Sequence, residues 1–152
     1  MKKIITALAA FFSLSAVVAT GVAADSVTNS MVGAQGYDLV SYHTKSGPLR
    51  GNGHNVVEHK GVTYVFATAE NKKIFAMNPA KYLPAYGGYC AMGVALEKKL
   101  VADPTVWEIV DGRLYLNLDT NVQGMWSGDI PGNIEKADGI WTDIKNTPAG
   151  EL

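Results

Sequence analysis

The stretch VWEIVDGRLYLNL, residues 106 to 118, constrains the fold more than any other part of the chain. Two runs rich in β-branched and aromatic residues flank Asp111-Gly112, and an Asp-Gly pair suits the type I′ turn that closes a two-residue β-hairpin. Trp107, Ile109, Leu114 and Leu116 are its expected buried set, on one or other face. A second hairpin is written in NVVEH and VTYVFA around Lys60-Gly61. There Val62, Tyr64 and Phe66 share one face and Thr63, Val65 and Ala67 the other.

Helical signals surround the hairpins. Thr68 is placed to cap a helix over Ala69 to Met77. Asn78-Pro79 stops that helix and starts a short one through NPAKYL, which must end before Pro84. The segment AMGVALEKKLVA, from residue 91, is ambiguous between strand and irregular coil, with Gly93 weakening either. In the C-terminal third, Val122, Met125 and Trp126, then Ile134, Ala137, Ile140 or Trp141, and Ile144 recur at helical spacing, with Pro131 at the start of the second helix. Hairpins followed and interrupted by short helices predict a small single α+β domain, antiparallel β-hairpins packed against several short helices.

The N-terminus reads MKKIITALAAFFSLSAVVATGVAAD, two lysines, an apolar run and a small-residue cleavage region. That is the layout of a secretory signal peptide over residues 1 to 24, which implies an exported, periplasmic or secreted, protein. Residues 25 to 35 have no sustained period and are expected to form a loose mature N-terminus before a domain spanning 36 to 152. Without Lys2 and Lys3 the chain carries 11 basic and 14 acidic residues, a net charge of -3. With no basic stripe, nucleic acid is not the expected partner. The 47% hydrophobic content supports a packed core, and no later segment approaches the length of a membrane span.

Cys90 is the only cysteine. A lone exported thiol is left with burial, pairing between chains, reactivity or metal ligation. Met92 stands two residues on, and in an extended segment both sulfurs would point to one side. Thiolate with thioether is a soft donor pair that prefers Cu(I) or a similar ion, with His43 as the first candidate for a third donor. His54 and His59 read as exposed turn residues, and no zinc-type spacing is present. Thiol catalysis needs a base or helix N-terminus beside Cys90, and no nucleophile signature surrounds it. Tyr37, Tyr42, Tyr82, Tyr86 and Tyr89 are candidates for an aromatic wall, or for half-buried core. Gly87-Gly88 permits a tight turn or close approach but matches no phosphate loop. Asp103, Asp111, Asp119 and Asp129 fall at expected turns or caps.

GYDLVSYH at 36 to 43, EHKGVTYVFATAENKKIF at 58 to 75, NPAKYLPAYGGYCAMGVA at 78 to 95 and VDGRLYLN at 110 to 117 together resemble the exported, single-domain branch of the YHS-domain family. Tyr42-His43-Thr44 stands where the family has its Tyr-His-Ser triplet. The resemblance implies metal handling with Cys90 as leading ligand. The expected function is therefore a non-enzymatic module binding a soft transition metal such as copper through Cys90, Met92 and His43. Its alternative is a small-molecule or protein interaction module with a tyrosine-lined cleft at Tyr37, Tyr42, Tyr86, Tyr89, Gly87 and Gly88 and a structural cysteine; a thiol enzyme or redox partner is the third. An exposed Cys90 would also open a disulfide-linked or metal-bridged homodimer, whereas a buried one would not.

Overall fold

The computed structural model describes residues 31 to 152; the expected leader and residues 25 to 30 lie outside the described residues. The chain forms a small single α+β domain. β1 (Asn52–His59) pairs antiparallel with β2 (Val62–Phe66), and β3 (Asp103–Val110) with β4 (Arg113–Asn117). Both turns take left-handed backbone at their two central residues, Lys60 and Gly61 at φ 51° and 76°, Asp111 and Gly112 at 50° and 78°. This is the type I′ geometry, whose twist matches that of the strands it joins. Trp107 lies opposite Leu116 and Ile109 opposite Leu114, so the expected set does share a face.

Among the described residues five α-helices complete the domain: α1 (Ala69–Met77), α2 (Pro79–Tyr82), α3 (Ala91–Ala95), α4 (Thr120–Ser127) and α5 (Ile130–Ile144). At four of the five, a side chain satisfies an orphan backbone donor at the start. Thr68 accepts from the Asn71 N–H at 3.0 Å, Asp119 from Val122 at 2.8 Å and Asp129 from Gly132 at 3.1 Å. Each such cap contributes about 1 kcal/mol. Asn78 precedes α2 with no side-chain cap bond, and Pro79 occupies the first turn.

β4 is the centre of the molecule because alternation sends its side chains into two different clusters. Leu114 and Leu116 pack with Leu39, Tyr42, Phe66, Phe75 and Cys90. Tyr115, on the other face, packs with Tyr86, Val94, Trp126 and Ala137. Trp126, Leu114 and Phe75 are fully buried, each contributing about 1.5–3 kcal/mol or more of apolar transfer.

Three expectations are corrected. Residues 91 to 95 form α3, neither strand nor coil, because the Cys90 thiol and backbone begin a helical turn there. Residues 31 to 35 are not loose: Met31 accepts from the Thr63 N–H at 2.8 Å, Val32 pairs parallel with Thr63, and Gly33–Gly36 forms a tight left-handed turn. His59 is half-buried, its ring edge-on to Phe75 at 6.3 Å, whereas His54 is exposed as expected.

Candidate functional site: a cleft between two left-handed turns

The walls of the site are two short turns with the same unusual backbone. In Gly33–Gly36, Ala34 and Gln35 take φ 49° and 52°; in Ala85–Gly88, Tyr86 and Gly87 take 55° and 64°. Left-handed backbone costs a residue with a Cβ about 1–2 kcal/mol, so Ala34, Gln35 and Tyr86 need surroundings that hold them. For Tyr86 those are visible. Its hydroxyl donates to Asp138 Oδ1 at 3.0 Å, and Arg113 grips the same carboxylate through two bonds of 3.2 Å from β4. Gly33 cannot be replaced without movement, since a Cβ there would overlap the Tyr64 ring.

Three adjoining hollows lie beside these turns, the second and third lined by both and the first by Gln35 alone of their residues. The first, about 460 Å³, is lined by Gln35, Tyr37, Arg50, Val101, Asp103 and Leu118 among others. The second, about 350 Å³, shares Gln35, Val101 and Pro104 with it and extends over Val32, Gly87, Gly88 and Tyr89. The third, about 330 Å³, shares Gly33, Ala34, Val62 and Gly87 with the second and reaches Tyr64, Leu83 and Pro84. Met31, Val32, Val101 and Leu118 bring exposed apolar surface to the same cleft, Val101 being 70% exposed.

The four candidate tyrosines divide. Tyr37 and Tyr89 line the cleft, together with Gly87 and Gly88. Tyr42 and Tyr86 do not line these hollows: both are buried, Tyr42 donating to the Pro104 carbonyl at 2.7 Å and Tyr86 bonded to Asp138. Burial first, and for Tyr86 the Asp138 bond next, raises both hydroxyls well above the ordinary tyrosine range. Tyr82 is also core.

Cys90, Met92 and His43 do not have the arrangement expected of a soft-donor site. Cys90 is fully buried, its sulfur accepting from the Gly93 N–H at 3.3 Å and donating to Asn117 Oδ1 at 3.7 Å. Successive helical residues diverge by about 100°, so with α3 helical the two sulfurs no longer share the side an extended segment would give them. Met92 fills space between the two clusters. His43 stands edge-on to Tyr82 at 5.2 Å, with its Nε2 buried and without a partner among the described residues. Burial, then the Lys81 charge, lowers its pKa. Among the described residues no three His, Cys, Asp or Glu side chains come together to hold an ion. The thiol's depth also closes the route to a disulfide-linked dimer in the folded state, and its hydrogen-bond partners include no histidine.

Sequence reasoning missed several participants. Arg50 lies over the Tyr37 ring at 4.4 Å and donates to the Gln35 carbonyl at 2.8 Å. Asp103 accepts from both the Thr105 N–H and hydroxyl at 2.7 Å, and these two bonds hold its carboxyl below the usual range. Lys99 is buried, donating to the Lys145 and Thr147 carbonyls at 2.9 and 2.6 Å beside the Tyr89 and Trp141 rings. The available signal was scarcity: the chain has only two arginines, and each stacks on a tyrosine.

No family model, no curated protein and no solved structure matches the chain. Among the described residues, no helix is long and apolar enough to cross a membrane.

Proposed function

We propose that the protein is a non-enzymatic binding module whose ligand lies in the cleft between the Gly33–Gly36 and Ala85–Gly88 turns. The observation that carries this is the strained, non-glycine backbone in both turns together with the exposed apolar surface of Met31, Val32 and Val101 on the adjoining hollows. Strain of this kind persists only where the rest of the fold enforces it, and it clusters at binding sites. The hollows also fall in the size range of small-ligand sites. Export through the N-terminal leader would set the module to work outside the cytoplasm. Cys90 serves here as the N-terminal cap of α3.

The YHS-domain resemblance favours the second reading, soft-metal handling centred on Cys90, and the buried Nε2 of His43, without a partner among the described residues, is the one observation beside it. A metal would have to expel the thiol's present partners and reach a sulfur with no exposed surface.

One experiment separates the two. Isotope-labelled protein is titrated with indole, a neutral aromatic probe, and separately with Cu(I) held by a competing chelator, while backbone amide shifts are followed. The cleft reading expects indole to move Gly87, Gly88, Tyr89 and Val101, and it fails if none of them moves. Shifts centred on Cys90, Met92 and His43 with Cu(I), abolished by Cys90→Ser, would put the metal reading in its place.

A further inference from the structure

The hollow lined by Gln35, Tyr37 and Arg50 carries two opposite charges that do not meet. Arg50 and Asp103 both line it, yet the ion pair formed among the described residues is Arg113 with Asp138. Each charge is instead held in position by its own local partners. The Arg50 guanidinium lies over the Tyr37 ring and the Gln35 carbonyl takes one of its nitrogens, which leaves the rest of the fork uncommitted among the described residues. Thr105 fixes Asp103 through Oδ1 alone, and Oδ2 has no partner among the described residues. The same hollow is also lined by Val101 and Leu118, both large, apolar and exposed.

Resting on the cleft reading, we propose that this end of the cleft takes a zwitterionic, amino-acid-like ligand, its carboxylate on Arg50, its ammonium on Asp103 and an apolar side group against Val101 and Leu118. Guanidinium suits carboxylate because its planar fork can donate two parallel bonds. Pre-positioning by stacking and by the Thr105 bonds reduces the ordering that binding would otherwise require. The same pair of charges discriminates by repulsion. A plain anion attracted to Arg50 meets the Asp103 carboxylate in the same hollow, and a plain cation attracted to Asp103 meets Arg50. Only a ligand bearing both signs satisfies both walls. A volume of about 460 Å³ holds such a molecule with room for bridging water.

The test uses three probes that share one side chain: L-leucine, N-acetyl-L-leucine, which lacks the cation, and L-leucine methyl ester, which lacks the anion. Amide shifts of Tyr37, Arg50, Val101 and Asp103 are followed at low ionic strength, because these charges are open to solvent and salt would screen them. Leucine is expected to bind at least about tenfold more tightly than either capped relative, a margin of about 1.4 kcal/mol. Arg50→Met, which keeps a side chain on Tyr37, is expected to weaken leucine while leaving the methyl ester as tight or tighter. Asp103→Asn, which keeps the acceptor for Thr105, is expected to weaken leucine while sparing N-acetyl-leucine. Equal binding of all three probes overturns the charge assignment but leaves the cleft as a binding site. A leucine titration that moves no cleft amide, where indole does, overturns the proposal alone. If neither moves them, both readings fall together.

Discussion

The two hairpins are near copies in local terms and opposites in tertiary terms. Each pairs an eight-residue strand with a five-residue strand through a two-residue left-handed turn, and each shifts register near the start of its long strand. Yet four of the five residues of β4 are buried, while only Phe66 of β2 is. The second hairpin lies between two clusters; the first is covered mainly by α1 and by the arm at 31 to 36. The same turn chemistry therefore builds a structural spine in one place and a half-open support in the other. The half-open copy contributes Val62 and Tyr64 to the cleft.

The comparison breaks most visibly in stability. Leu114→Ala and Leu116→Ala should each cost about 2–5 kcal/mol, as expected for large-to-small changes at a closed site. Val65→Ala in β2, half-exposed, should cost only about 1 kcal/mol. Denaturant midpoints measure both, and equal costs would mean that the first hairpin is as central as the second. The turns should behave alike. Gly61→Ala and Gly112→Ala both place a Cβ on left-handed backbone with open space around it, so each should cost about 1–2 kcal/mol. A much larger loss at Gly112 would show that the turn is coupled to the core. The smallest effect is in pH. His43, packed against Tyr82, has a lowered pKa in the folded state, so the unfolded chain takes up the proton first. Stability is then intact above the ordinary histidine value near 6.5 and falls as pH drops below it. His43→Gln should flatten that acid limb in urea titrations run across the range; an unchanged slope would assign the acid sensitivity elsewhere.

What was legible in the sequence tracks how local its cause is. Turn pairs, Ser/Thr/Asp caps and strand alternation act within a few residues, and Asp111-Gly112, Thr68, Asp119 and Asp129 all stand where local chemistry puts them. The cleft was half legible: Tyr37, Tyr89 and the glycine pair line it, whereas Tyr42 and Tyr86 turned inward because distant acceptors, the Pro104 carbonyl and Asp138, reached their hydroxyls. Asp38 shows the limit well. Its carboxylate is fully buried and accepts from Val40, Ser41, Ala67 and the Asn71 side chain, joining the 38 to 41 turn to the start of α1. Two of those donors lie about thirty residues away, and nothing in GYDLVSYH announces them. Lys99 is another case, a lysine in a basic pair that the end of α5 and two aromatic rings enclose. The misjudged geometry of Cys90 and Met92 has the same origin. A five-residue helix containing glycine carries too little periodicity to be told from a strand, and it forms because Asn117, on β4, accepts from its Met92 N–H at 3.2 Å.

Sealing the chain's one thiol inside the domain gives the protein a built-in clock. A thiol reagent can mark this molecule once at most, and only during an opening that parts α3 from β4. The pace of labelling in native buffer therefore counts how often the spine of the fold breathes, without a dye, a tag or an engineered probe.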